Sequence, residues 1–176
     1  MLFRSENKLE TAIALFLVLI GVSLRLLPHP DNFAPVSAIA LFSGVALSAP
    51  LALTVPLVVM VISDLIMGPH ALFPLTWGCF ALVTLLGLYI RKDASAVKIL
   101  AGTLGGSVIF FLVTNLGVFI FQNMYPKTSA GLAQCFVMAL PFFRNTALGD
   151  LFFSFVFFSS FALAKNFSHK FVSQKN

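Results

Sequence analysis

A chain of 176 residues that is 59% hydrophobic and only 10% charged departs from the soluble-protein balance of about 45–50% and about 25%, which excludes an ordinary water-soluble domain. The net charge of +5 does not point to nucleic acid, because no basic face or aromatic-basic interleaving lies outside the short loops. The expected surroundings are a lipid bilayer, which about 18 or more apolar residues cross as a helix.

The expected fold is an all-α integral membrane protein, one domain over residues 1–176 with six transmembrane helices. Span 1 covers about 9–27, opened by Glu6, Lys8 and Glu10 and stopped by Pro28 and Pro30, which cannot continue a helix. Arg25-Leu26-Leu27-Pro28 is no small-residue cleavage site, so the segment reads as a retained span and not a signal peptide. Span 2, about 35–47, is short. The turn Ser48-Ala49-Pro50 leads into span 3, about 51–67, which Gly68-Pro69 ends. Span 4 covers about 72–90, the polar linker R-K-D-A-S-A-V-K follows, and span 5 covers about 99–122. The apolar piece at about 129–140, closed by Pro141, reads as a surface-lying or re-entrant helix, and span 6 covers about 145–164 before a basic tail.

Cytoplasmic loops hold the excess of lysine and arginine. With the N-terminus inside, Arg4, Lys8, Arg91, Lys92, Lys98, Lys165, Lys170 and Lys175 face the cytoplasm, and only Arg25, Lys127 and Arg144 face out. Both termini are therefore expected in the cytoplasm. The stretch R-L-L-P-H-P-D-N-F-A-P, the Gly68-Pro69-His70 turn and the connection from Asn123 to Arg144 then share the outer face.

An ionisable group within a span costs roughly 2.5–3.5 kcal/mol on insertion scales, so it normally faces the bundle interior. Asp64, Asn115 and Asp150 fall in the outer halves of spans 3, 5 and 6 and are expected to form a polar layer beneath a pocket open to the outside. Arg144 and Asp150 are six apart and do not share a helix face, so each needs partners elsewhere; Asp64 and Asp150 taking Arg25 and Arg144 is one such lock. His29 and His70 sit in outer loops, where an imidazole accepts a hydrogen bond or a metal, while His169 falls in the tail. Cys79 and Cys135 lie in apolar segments without framework spacing; each reads as a packing residue unless a soft metal takes the thiolate. G-T-L-G-G at 102–106 reads as a site of close helix packing, and most of the 21 phenylalanines as lipid contacts. H-E-x-x-H, P-loop and G-x-S-x-G signatures are missing, so no enzyme is expected.

Four ordered stretches, R-L-L-P-H-P-D-N-F-A-P-V-S-A-I-A-L-F-S-G, S-D-L-x-x-G at 63–68, F-L-V-T-N-L-G-V at 111–118 and A-L-P-F-F-R-N-T-A-L-G-D at 139–150, resemble small bacterial membrane proteins related to the substrate-binding (S) components of energy-coupling factor (ECF) vitamin transporters. Within that group the chain is similar to the solitary, cobalamin-importing BtuM-like S components. The resemblance implies an S-component-like bundle in the bacterial cytoplasmic (inner) membrane and a pocket near the outer face. It implies no cofactor of the protein's own, with cobalamin or a related corrinoid as the transported ligand. Cys79, in T-W-G-C-F-A-L, occupies the place of a cysteine that ligates the cobalt of cobalamin, and the substrate-binding set becomes His29, Asp64, Cys79, Asn115, Arg144 and Asp150. Docking on an ECF energising module often uses an A-x-x-x-A face on helix 1. Here Phe16 follows Ala12 and Val18 follows Ala14, which favours a solitary mode or another docking surface. Two alternatives stay open: uptake of another vitamin or small nutrient, and a non-transport structural membrane protein whose polar layer is only a lock.

Overall fold

The computed structural model describes residues 2–68 and 70–173, and the side chains of 8–68 and 70–165. Pro69 and the side chains of Arg4, Glu6, His169, Lys170 and Lys175, all used in the sequence reading, lie outside the described residues. Six helices follow in order: α1 (Leu2–Leu26), α2 (Val36–Ala46), α3 (Ala49–Met67), α4 (Phe73–Ile90), α5 (Ala96–Phe121) and α6 (Ser129–Ser173). Five of them are long and apolar enough to cross a membrane, α2 being the exception; the molecule is an all-helical, multi-pass membrane protein.

Helix α2 is the centre of the bundle. Its eleven residues reach about 16 Å, half the roughly 30 Å hydrocarbon core, so the expected second span is not a full crossing. Every residue from Val36 to Gly44 is buried, as befits a helix that is apolar all round. Ile39 and Phe42 pack with Leu17 of α1, Val55 of α3 and Phe157 of α6, while Val36, Ala40 and Leu41 pack with Val59 and Met60 of α3 and Phe80 and Val83 of α4.

Between apolar helices in lipid, association depends on close van der Waals approach, which small residues permit. Gly44 of α2 and Gly87 of α4 meet backbone to backbone: a Cβ on Gly44 would lie 2.4 Å from the Thr84 carbonyl oxygen, and one on Gly87 2.4 Å from that of Leu41. The expected packing role of the 102–106 glycines holds at Gly102, against Leu41 and Ile90, and at Gly106, against Val83.

The helix ends follow local chemistry. Gly68 closes α3 at φ 99°, a left-handed conformation that glycine adopts without strain, and its N–H donates to the Asp64 carbonyl. Ser95 caps α5 by accepting from the Lys98 N–H, so the helix begins inside the polar linker. At the other end of α5, Lys127 donates to the carbonyls of Gln122, Ile120 and Phe119. Arg91 does the same for α2, donating to the Gly44 and Leu47 carbonyls. Both cations sit at the negative end of a helix dipole.

The expected break at Pro141 does not occur, because α6 continues through it. Proline removes one hydrogen bond and tends to kink a helix, but Phe136 and Phe143, on either side of it, both pack on Phe111 of α5. Along the rest of α6, Ser154 meets Thr103 and Asp150 meets Ser107, an antiparallel register. Cys135 then meets Asn115. From Asp150 to Cys135 α6 advances about 22 Å while α5 advances about 12 Å from Ser107 to Asn115, so the first part of α6 runs obliquely across α5. The 129–140 piece is thus the slanting start of α6 and not a separate helix.

Candidate functional site

One end of the bundle gathers the C-termini of α1, α3 and α5, the N-termini of α2 and α4, and the oblique part of α6; we call it the loop end. Because α2 is short, the chain enters the bundle there from Phe33 to Pro35, while residues 27–32 stay exposed. Asn32 in this segment takes φ 62°, a left-handed conformation that asparagine tolerates better than most residues. The Asn145 amide of α6 donates to the Asp31 carbonyl at 3.0 Å. Gly149 of α6 lies against Phe33, whose ring also packs on Phe152 and Phe153.

The space above α2 is a cavity of about 280 Å³, lined by residues of all six helices and the loops. Arg25, His29, Asn32 and His70 form its mouth. Its deeper wall includes Ser37 of α2, Thr76 and Phe80 of α4, Phe110 of α5, and Thr146 and Asp150 of α6.

Two carboxylates organise the site differently. Asp64 is tied to three neighbours: Oδ1 lies 2.6 Å from Arg25 Nη1, Oδ2 accepts from Trp77 Nε1 at 2.8 Å, and His70 Nε2 is 3.7 Å away. Arg25 also donates to the Ser63 hydroxyl, which joins α1 to α3. Asp64 stands behind the wall and reaches the cavity through Arg25 and His70. Asp150 is 1% exposed and accepts from the Ser107 hydroxyl at 2.6 Å, with the Ser37 hydroxyl close by. It has no ion-pair partner among the described residues. Ser37 belongs to the first turn of α2, so the carboxylate sits at the positive end of that helix dipole.

His29 is held between two carbonyls, Pro30 O at 2.9 Å from Nδ1 and Arg25 O at 3.3 Å from Nε2. Carbonyls only accept, so a neutral ring donates to one of the two. The other nitrogen faces a carbonyl without a hydrogen bond to it.

Of the residues expected from the sequence, the cavity brings together His29 and Asp150, with Asp64 adjoining through Arg25. Of the expected lock, Arg25 takes Asp64, while Asp150 has no guanidinium partner among the described residues. Arg144 is exposed while Asp150 points inward, as their differing helix faces require. Asn115 lies outside the cavity lining: its side-chain amide donates to the Phe111 carbonyl and its backbone carbonyl accepts from the Cys135 thiol. Cys79 is 1% exposed and does not line the cavity. Thr76 and Phe80, four apart, share the face that does. Cys79 shares a stripe with Val83, which packs over Gly106 of α5, so the thiol is turned by about 100° from Phe80. Cys135 is equally a packing residue, with its thiol on the Asn115 carbonyl.

Sequence reading did not single out Ser37, Thr76, Phe80, Phe110 and Thr146. Two of them carried a signal: Thr146 lies four before Asp150, and Thr76 four before Phe80, each pair on one helix face. A second, larger groove of about 950 Å³ lies at the opposite end between α1 and α6. Its mostly aliphatic and phenylalanine lining, with only Ser160 and Lys165 polar, suits acyl chains.

No curated protein and no solved structure matches the chain. A family model matches residues 5–172, nearly the whole length. The chain belongs to DUF6580, a family of unknown function.

Proposed function

We propose that the protein binds a small polar solute in the cavity at the loop end and carries it into the cell, in the manner of the S components it resembles. The observation that carries this reading is the cavity itself. Ser37, Thr76, Thr146 and Asp150 all line one space; the two threonine hydroxyls donate to the Phe73 and Phe142 carbonyls, which leaves their oxygens to accept from a solute. A volume of about 280 Å³ lies at the small end of the roughly 300–1,000 Å³ usual for small-molecule sites. The loop end faces out of a bacterial inner membrane and both termini face the cytoplasm; the uneven distribution of lysine and arginine supports this orientation.

Cobalamin is the second reading, and it rests on Cys79. The thiol is one residue from Phe80 of the cavity wall, so a turn of α4 by about 100° brings it to the cavity. The cavity is smaller than a corrinoid, so the loop at 27–35 must also open. A thiolate suits cobalt.

A thermal-shift screen of the purified protein in nanodiscs against small nutrients, vitamins and cobalamin tests both readings. Small-solute stabilisation that is lost on filling the cavity with Thr146→Phe supports the first. Binding of cobalamin with a visible spectrum altered in Cys79→Ser supports the second. A protein stabilised by none of them is a structural membrane protein instead.

A further inference from the structure

Resting on the solute-site reading, we infer that the ligand is a small organic cation, its charged nitrogen seated between the Asp150 carboxylate and the rings of Phe80 and Phe110. Three independent features of the deep wall point the same way. The first is charge. Arg25, the cation at the mouth, is neutralised by Asp64 at 2.6 Å, whereas Asp150 has no cationic partner among the described residues. The cavity and its supporting shell therefore hold one more carboxylate than guanidinium. The second is the remaining hydrogen-bonding capacity. A carboxylate offers about four acceptor sites, of which Ser107 fills one with the Ser37 hydroxyl close by, and Asp150 still lines the cavity. The N-terminus of α2, the natural place for a ligand's anionic group, is already taken by this internal carboxylate, so a ligand must bring donors there and not acceptors.

The third is aromatic. Phe80 and Phe110 line the same cavity and stack on each other, with centroids 5.5 Å apart and planes at 26°. An outer ring face of this stacked pair, on the same cavity as a carboxylate without a cationic partner, gives a cation both a quadrupole and a charge. A neutral or anionic solute gains neither. Size agrees, since a compact primary, guanidinium or quaternary ammonium head with a short polar tail fits the volume, and Thr76, Thr146 and Asn32 can accept from such a tail.

The test uses the full chain in nanodiscs and measures the affinities of methylammonium, guanidinium, ethanolamine, choline and tetramethylammonium by calorimetry. The controls are 3,3-dimethylbutan-1-ol, the uncharged carbon counterpart of choline, and pivalate as an anion. At least one of the cations is expected to bind, and the neutral counterpart to bind weaker by about tenfold or more. Asp150→Asn is expected to weaken the cation by a similar factor. Phe80→Leu, which keeps apolar bulk and removes the ring, is expected to weaken it about fivefold without changing the neutral counterpart. If Asp150→Asn does not fold, Phe80→Leu carries the test. Equal affinity of wild type and Phe80→Leu for the cation overturns the inference. So does binding of pivalate or the neutral alcohol in place of every cation, an outcome that leaves the solute site standing. Failure of every compound here and in the wider nutrient screen removes both.

Discussion

Arg25 Nη1 lies 2.6 Å from Asp64 Oδ1, and this contact ties the last turns of α1 and α3 together beside the cavity mouth. Both side chains are largely buried, at 15% and 8% exposure, so removing one charge strands the other in a poorly solvated place. Asp64→Asn is expected to cost about 2–3 kcal/mol of stability, read as an earlier unfolding midpoint of the purified protein. A double-mutant cycle with Arg25→Met should return a coupling of similar size. Additive effects in that cycle would mean the pair is not a structural tie.

The α2–α4 crossing depends on two hydrogens. Gly44→Ala or Gly87→Ala forces a Cβ to within 2.4 Å of a carbonyl oxygen of the other helix, and each is expected to destabilise by about 3 kcal/mol or more through overpacking. Gly78→Ala serves as the control, since nothing lies within 4 Å of its added Cβ, and it should leave the unfolding midpoint unchanged or raise it slightly.

Two basic residues close in sequence should behave differently. Arg91 satisfies the terminal carbonyls of α2, so Arg91→Met should cost about 1–3 kcal/mol. Lys98 pairs with Asp93 in an exposed setting, with side chains 49% and 71% exposed, and Lys98→Ala should change stability by less than about 1 kcal/mol. Chemical denaturation of the two variants side by side distinguishes a helix cap from a surface ion pair.

Much of the architecture was legible because apolar runs and their proline and glycine punctuation report helices directly. Helices α3, α4 and α5 begin and end within three residues of the expected spans. Pro141 misled because a proline is locally a helix stop, while the decision was tertiary: Phe136 and Phe143 anchor both sides of it on Phe111. In the site, Asp64 and Asp150 stood out because carboxylates are rare in apolar spans. Ser37, Thr76 and Thr146 did not, since hydroxyls are ordinary in such helices and their use depends on how each helix is rotated. The same rotation moved Cys79 off the wall. Sequence places it one residue from Phe80, and one residue is about 100°.

That placement of Cys79 carries its own prediction. Cys79→Ser leaves the cavity lining intact, so a small solute should be held with unchanged affinity, while thiol reagents should reach Cys79 and Cys135, both 1% exposed, only after unfolding. Loss of solute binding in Cys79→Ser would place the thiol in the site.

The most direct measurement of the central claim is thiol accessibility at Thr76, a half-buried residue of the cavity wall. Thr76→Cys is made in a Cys79→Ser, Cys135→Ser background and treated in intact cells with a membrane-impermeant maleimide. An outward, water-filled cavity predicts prompt modification at this position and protection by a solute that raises the unfolding midpoint. A Thr76→Cys that reacts only in inside-out vesicles, or that reacts from outside but is never shielded by a stabilising solute, contradicts the account.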